Sequence, residues 1–276
     1  MIILDIPEIL KKRGITPNPD ADQHFMIDKA ALEKIICAAE ITPDETVLEI
    51  GAGIGNLTKL LAKKAKKVYA IEKDFALSGA LNEETAGLEN VEIIIADALK
   101  IKLPQFDKLV SNLPYQICEA LMKKLSFTNF KSAVVCVPET FAKAICAKEG
   151  KKEYTKLSFV TQAFFDAEIV GKVAKESFYP KPRTKSAILK LTMKTHLEFG
   201  DYLVQELLRE NDKKLKNALR EAIIFASHNA GGNSGTKRAA RNLIATWKLP
   251  DAVLEQEVAE LKLAELLAIS DRARNL

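Results

Sequence analysis

No apolar run in the sequence reaches the roughly 18 residues a membrane-crossing helix needs. No basic stretch leading into a long apolar segment stands near its start. Neither a membrane partner nor an export leader is expected, and the chain reads as cytoplasmic. The four cysteines (Cys37, Cys118, Cys136, Cys146) form no C-x-x-C pair and sit among apolar neighbours, as reduced core residues do. The three histidines (His24, His196, His228) lack ligand-like spacing, so no metal site is expected. Neither sign of charge dominates: 41 Lys and Arg against 37 Asp and Glu leave a net charge of +4. That balance permits a polyanionic partner without requiring one. Internal repeats and low-complexity segments are absent.

What is present is alternation. Over residues 1–195, β-branched runs at 46–53, 67–72, 91–97, 107–112, 132–137, 167–174 and 186–193 alternate with helix-period segments. In 28–40, Asp28 suits an N-cap, and Leu32, Ile35, Ile36 and Ala39 share one helical face. Leu57, Leu60, Leu61 and Ala65 repeat the pattern. Such alternation, with nearly continuous apolar early strands, predicts a mostly parallel sheet covered by helices. The closer spacing of the later strands predicts an antiparallel pair at one edge. Beyond about residue 197 the strand signal is gone. Leu203, Leu207, Leu208, Leu215, Leu219 and Ile223 form a helical stripe, and 228–235 ("HNAGGNSG") reads as a hinge or loop. The expected division is 1–195 and a helical domain over 196–276.

The first strand runs into "EIGAGIG", with Glu49 ahead of Gly51, Gly53 and Gly55. The glycines allow a sharp turn and close approach of a ligand at a helix start. A pyrophosphate cradle of the G-x-G-x-x-G type needs a third glycine where Asn56 stands. The loop reads instead as one wrapping S-adenosylmethionine, whose amino-acid end carries no phosphate. Glu72 closes the second strand, placed for ribose hydroxyls, and Asp97 closes the third, placed for the amino group of an adenine.

The fourth strand ends in "NLPY" (112–115). An exocyclic adenine amine is a poor nucleophile because its lone pair is delocalised into the ring. Two acceptors on its N–H bonds, the Asn112 side-chain oxygen and the Leu113 carbonyl, favour a pyramidal nitrogen aimed at a methyl sulfonium. Pro114 stiffens the turn, and Tyr115 offers a stacking face. The base must be unpaired or flipped to enter such a pocket.

These motifs, in this order, resemble the KsgA family of small-subunit rRNA adenine N6,N6-dimethyltransferases. "QHFMID" (23–28), the glycine loop (47–58), "AIEKD" (70–74), "IADAL" (95–99), "NLPY" and "ESFYPKPRTKSAILKL" (176–191) carry the resemblance. It implies a Rossmann-like class I S-adenosylmethionine-dependent methyltransferase sheet, an α/β fold, with a small all-helical C-terminal domain. It implies cofactor contacts from Gln23, His24, Met26, Glu49, Gly51, Gly53, Glu72, Lys73, Asp97, Ala98 and Asn112. Catalytic roles fall to Asn112, Leu113, Pro114, Tyr115 and Phe178, the last packing on the target adenine opposite Tyr115. The implied reaction dimethylates two adjacent adenosines near the 3′ end of small-subunit rRNA during subunit assembly, by a monomer.

The chain departs from the family pattern at Met26 for the usual Leu and at Thr184 for the usual Val. The segment before Gln23, "TPNPDAD", lacks the expected basic residues and Gly. Lys148, Lys151 and Lys152, with Lys156, and the set Lys181, Arg183 and Lys185, are expected RNA phosphate contacts. Lys237 and Arg238, beside Arg241, fit either an RNA-docking patch or a solvated face. Lys63, Lys64, Lys66 and Lys67 suit a helix C-terminus. Two other readings share much of this pattern: a non-catalytic RNA-binding assembly factor on the same fold, and an Erm-type large-subunit rRNA adenine methyltransferase.

Overall fold

The computed structural model describes residues 5–230 and 235–275, so part of the expected hinge at 228–235 lies outside the described residues. Helix α1 (Ile6–Lys12), strand β1 (Phe25–Met26) and helix α2 (Lys29–Ala39) open the chain. There follow β2 (Thr46–Ile50), α3 (Thr58–Ala62), β3 (Lys67–Glu72), α4 (Phe75–Glu84), β4 (Val91–Ile95) and β5 (Lys108–Asn112). Next come α5 (Cys118–Ser126), β6 (Ser132–Pro138), α6 (Glu139–Ile145), α7 (Lys156–Phe164), β7 (Phe165–Val173), β8 (Phe178–Tyr179) and β9 (Ser186–Met193). The rest is helical: α8 (Phe199–Arg209), α9 (Leu215–Asn229), α10 (Lys237–Thr246), α11 (Asp251–Leu254) and α12 (Leu263–Arg274).

Seven strands form one sheet in the order β4-β3-β2-β5-β6-β9-β7. Strands β2 to β6 run parallel to their neighbours, and β9 runs antiparallel to β6. The expected mostly parallel sheet is what the chain builds, and its antiparallel pairing, of β9 with β6, lies one strand in from the β7 edge. The order reverses between β2 and β5, which opens a crevice at the carboxyl ends of those strands. Strands β1 and β8 pair in a separate two-stranded ladder, Met26 opposite Phe178 and Phe25 opposite Tyr179.

Asp28 caps α2, its Oδ1 accepting from Ala30 N at 2.9 Å and Ala31 N at 3.3 Å. The face so started buries Leu32, Ile35 and Ala39 against Val47, Val110 and Val134 of the sheet. Each large aliphatic side chain buried this way contributes about 1.5–3 kcal/mol. Helix α3 stops at Ala62, shorter than the periodicity predicts. There Asn90 Nδ2 donates to Ala62 O and Ala65 O, satisfying carbonyls that a longer helix would pair internally.

The chain divides into two compact units. One holds the residues up to Glu153 together with Asp166–Met193; the other holds Tyr154–Phe165 with Lys194–Leu276. The sequence predicts a single cut after residue 195, and the structure moves α7 across it. The reason is polar anchoring within the helical unit. Lys156 Nζ donates to Ala259 O at 2.7 Å and Leu261 O at 2.8 Å, and Gln205 Nε2 donates to Ala163 O at 2.9 Å. Lys156 is thus engaged in packing and is no longer a candidate for phosphate. In the same unit the stripe residues Leu203, Leu207, Leu208, Leu215, Leu219 and Ile223 are all buried.

Candidate active site

A cavity of about 370 Å³ lies at the crevice between β2 and β5. Gly51 turns the chain out of β2 with φ +74, a left-handed conformation open to glycine. A Cβ there would come within 3.0 Å of Pro114 Cδ, so the glycine loop and the "NLPY" turn pack directly on one another. Gly53, at φ +59, likewise has Phe25 Cε1 only 3.0 Å from where a Cβ would sit. Ser111 Oγ donates to Ile50 O and ties the ends of β5 and β2 together.

The acids at the strand ends all line this cavity. Glu49 is 2% exposed and accepts from Thr58 Oγ1 at 2.6 Å. Burial pushes its carboxyl up to about 8, with the nearby Glu72 carboxylate acting in the same direction. Glu72 is 6% exposed; its Oε2 accepts from Gly53 N at 2.8 Å and its Oε1 from Asp74 N at 2.9 Å. Burial raises its carboxyl too, while these N–H donors oppose the rise. Asp97 uses Oδ1 to accept from Leu99 N at 2.9 Å. The carboxylates of Glu72, Asp74 and Asp97 share this lining with Lys73, while the Glu49 carboxyl, raised to about 8, adds no charge at neutral pH. Such a wall favours a cationic ligand and disfavours a pyrophosphate.

Residues 18–26 form a strap on the cavity wall. Gln23 Nε2 donates to Asp74 Oδ2 at 2.8 Å, and Gln23 Oε1 accepts from Asn18 N at 2.8 Å. His24 Nδ1 lies 2.8 Å from Pro180 O, and Met26 O accepts from Asn56 Nδ2 at 2.7 Å. Asn56, where a dinucleotide fingerprint would carry glycine, therefore holds the strap.

Asn112 donates through Nδ2 to His24 O at 2.9 Å. A carbonyl can only accept, so this bond fixes which end of the amide faces the strap. The other end, Oδ1, is buried and has no hydrogen-bond partner. An orphaned acceptor of this kind costs about 1–3 kcal/mol. Leu113 is buried, its N–H held by Cys136 O at 3.1 Å. The Tyr115 hydroxyl is hydrogen-bonded to Ser186 Oγ, and its ring centroid lies 6.1 Å from that of His24. Burial raises the Tyr115 phenol well above its usual range.

The cavity gathers all of Gln23, His24, Met26, Glu49, Gly51, Gly53, Glu72, Lys73, Asp97, Ala98 and Asn112, together with Pro114. Leu113 and Tyr115 are not among its lining, and neither is Phe178. Its side chain is 2% exposed and packs in the core with Met26, Leu32, Ile35 and Ile188, so it presents no face to an incoming base. Strand alternation is the cause: in β8 Phe178 points inward, and Tyr179, 39% exposed, points outward. Sequence reasoning also missed Lys124. Its Nζ donates to Ala98 O at 2.8 Å, Leu99 O at 3.2 Å and Ile101 O, gripping the loop that carries Asp97 and Ala98. Nothing in the motif order points to a lysine on α5.

Of the expected phosphate contacts, Lys148, Lys151 and Lys152 are exposed in the loop after α6. Lys181 lies 3.4 Å from Glu176 Oε1, and Arg183, 95% exposed, lies 3.8 Å from Asp20 Oδ1. Lys185 is exposed. Surface pairs like these contribute little and exchange readily for phosphate. In the helical unit, Lys237 and Arg238 are exposed on the first turn of α10. Among the described residues no helix is long and apolar enough to cross a membrane, and no group of three His, Cys, Asp or Glu side chains could hold a metal ion.

A doubly wound sheet with an acid at each of three successive strand ends, beside a glycine loop, defines a Rossmann-like methyltransferase fold. The chain belongs to the ribosomal RNA adenine dimethylase family, whose model matches residues 15–236. It is 44% identical over 220 residues to a probable ribosomal RNA small subunit methyltransferase A of Methanosarcina mazei, covering 78% of this chain and 81% of that one. Its identity to the probable ribosomal RNA small subunit methyltransferase A of Thermococcus kodakarensis is 36% over 266 residues, covering 95% and 92%. Among solved structures, a dimethyladenosine transferase from Plasmodium falciparum superposes with a TM-score of 0.62 at 28% identity, covering 89% of this chain and 96% of that one. The 23S rRNA methyltransferase ErmE gives 0.61 at 24% identity, covering 91% and 99%, and shares the fold.

Proposed function

We propose that this chain dimethylates N6 of two adjacent adenosines near the 3′ end of small-subunit rRNA, using S-adenosylmethionine, as part of small-subunit assembly. Family membership and the names of its relatives support the reaction class. The observation that carries the reading is the orphaned Asn112 Oδ1. A buried acceptor with its amide locked by His24 O is what an incoming amine N–H would satisfy.

S-adenosylmethionine supplies an electrophilic methyl on a sulfonium. The Glu72 carboxylate accepts from the ribose hydroxyls, and Asp97 keeps Oδ2 for the adenine amino group. Gly51 and Gly53 let Pro114 and Phe25 close against the loop that wraps the cofactor. Asn112 Oδ1 and the Leu113 carbonyl accept from the target amine and localise its lone pair, and Tyr115 stacks on the base. Catalysis is then positioning plus electrostatics at the amine, with the proton leaving to water after transfer. Lys148, Lys151, Lys152, Lys181, Arg183, Lys185, Lys237 and Arg238 take the RNA backbone. The protein works as a monomer in the cytoplasm.

The test is Asn112→Ala. Methyl transfer to undermethylated small subunits should be lost while S-adenosylhomocysteine binding stays within about threefold. Equal loss of both would make Asn112 a binding or folding residue and remove the reading's support.

A further inference from the structure

The acidic segment before Gln23 is unexplained by the family pattern, and the structure gives it a task. The short 3-10 turn Tyr115–Ile117 leads into α5, and its first N–H groups have no intrahelical acceptor. Its N-cap residue is Pro114, which makes no side-chain capping bond. The acceptor comes instead from the strap: Gln116 N–H donates to Asp22 Oδ2 at 2.6 Å. A second bond runs beside it, from Gln116 Nε2 to Asp20 O at 2.6 Å. Asp22 holds a left-handed backbone, φ 57 and ψ 28, which few non-glycine residues adopt and which Asp and Asn tolerate best. A carboxylate at a helix start also complements the helix dipole.

The same strap is fastened to the cofactor side through Gln23 and Asp74, and to Asn112 through His24 O. We propose that Asp22 is a positioning residue for methyl transfer. It caps the turn after Asn112–Tyr115 from the strap, and so locks the cavity wall to the residues that hold the target amine. Position 22 thus needs a residue that accepts a left-handed backbone and also offers an acceptor. Glycine meets the first need, asparagine meets both.

This inference rests on the reading of the site given above, and the experiment separates the two. Single-turnover methylation of undermethylated small subunits is measured at saturating S-adenosylmethionine, with S-adenosylhomocysteine affinity and melting temperature measured on the same proteins. Asp22→Gly should slow transfer by about tenfold, the scale of one charge-assisted hydrogen bond removed. Its S-adenosylhomocysteine Kd should stay within about threefold of wild type and its melting temperature should hold. Asp22→Asn should recover the rate to within about threefold. A wild-type rate in Asp22→Gly overturns the inference, as does a matching loss of S-adenosylhomocysteine affinity, or an asparagine variant as slow as the glycine one. Failure of the wild-type protein to bind S-adenosylhomocysteine would instead remove the cofactor reading, and the inference with it.

Discussion

Glu49 and Glu45 show how differently one residue type behaves at the two ends of the sheet. Glu49, at the carboxyl end of β2, is buried with a hydroxyl donor and another carboxylate nearby, so it keeps its proton up to about 8. An unfolded glutamate releases its proton near 4.5. Between those values the folded state carries more protons, so stability of the cofactor-free protein falls as pH rises through that window. Glu72, also raised, adds in the same direction. Thermal melts across this window should show the decline, and Glu49→Gln should flatten it. Glu45, near the amino end of the sheet, pairs with Lys108 at 3.0 Å and Lys131 at 3.1 Å and accepts from Thr42 N, which together lower it to about 2 against its burial. The stability it contributes is present above about 4.5 and is lost as pH falls toward 2. Lys108 also donates to Ala39 O and Glu40 O, closing the end of α2. Glu45→Gln leaves that buried ammonium without its counter-charge and should cost about 3 kcal/mol in denaturant unfolding. Phe178→Ala should also cost about 3 kcal/mol of stability, the usual loss for a core aromatic, with a matching drop in melting temperature. An unchanged melting temperature with lost activity would return Phe178 to the base pocket.

Among elements, the strands are the most legible, because parallel strands write themselves as apolar runs with a polar residue at or beside the crevice end. Glu49, Glu72, Asp97 and Asn112 can be found that way, since chain order alone stacks their strand ends together. What cannot be read are bonds between distant segments: Asp22 to Gln116, and Lys124 to the loop after β4. Nor can the phase of a two-residue strand be read, and that phase decides whether Phe178 or Tyr179 points inward. Helix α7 reads as part of the sheet domain because it directly precedes β7; its partners lie far downstream at Ala259 and Leu261. The Lys124 grip makes a prediction at this scale. Lys124→Met leaves three carbonyls of the 98–101 loop without their donor and should raise the Kd for S-adenosylhomocysteine about tenfold. The melting temperature should change little if the loop alone loosens, and calorimetric titration checks the affinity.

For the whole molecule, a net charge of +4 is too small to mark a nucleic-acid partner by itself. The placement of the charges says more, with Lys148, Lys151 and Lys152 together on one loop. Replacing all three by alanine should weaken RNA binding and flatten its salt dependence, by roughly 0.7–0.9 for each phosphate no longer neutralised. An unchanged slope would mark that loop as merely solvated. The central claim concerns the target, and one assay bears on it most directly. Labelled S-adenosylmethionine is supplied with undermethylated small subunits, naked small-subunit rRNA and large-subunit rRNA, and the labelled nucleosides are identified after digestion. Label should enter small-subunit RNA as N6,N6-dimethyladenosine at two adjacent positions near the 3′ end; label in large-subunit RNA, or in none of the three, would contradict the account.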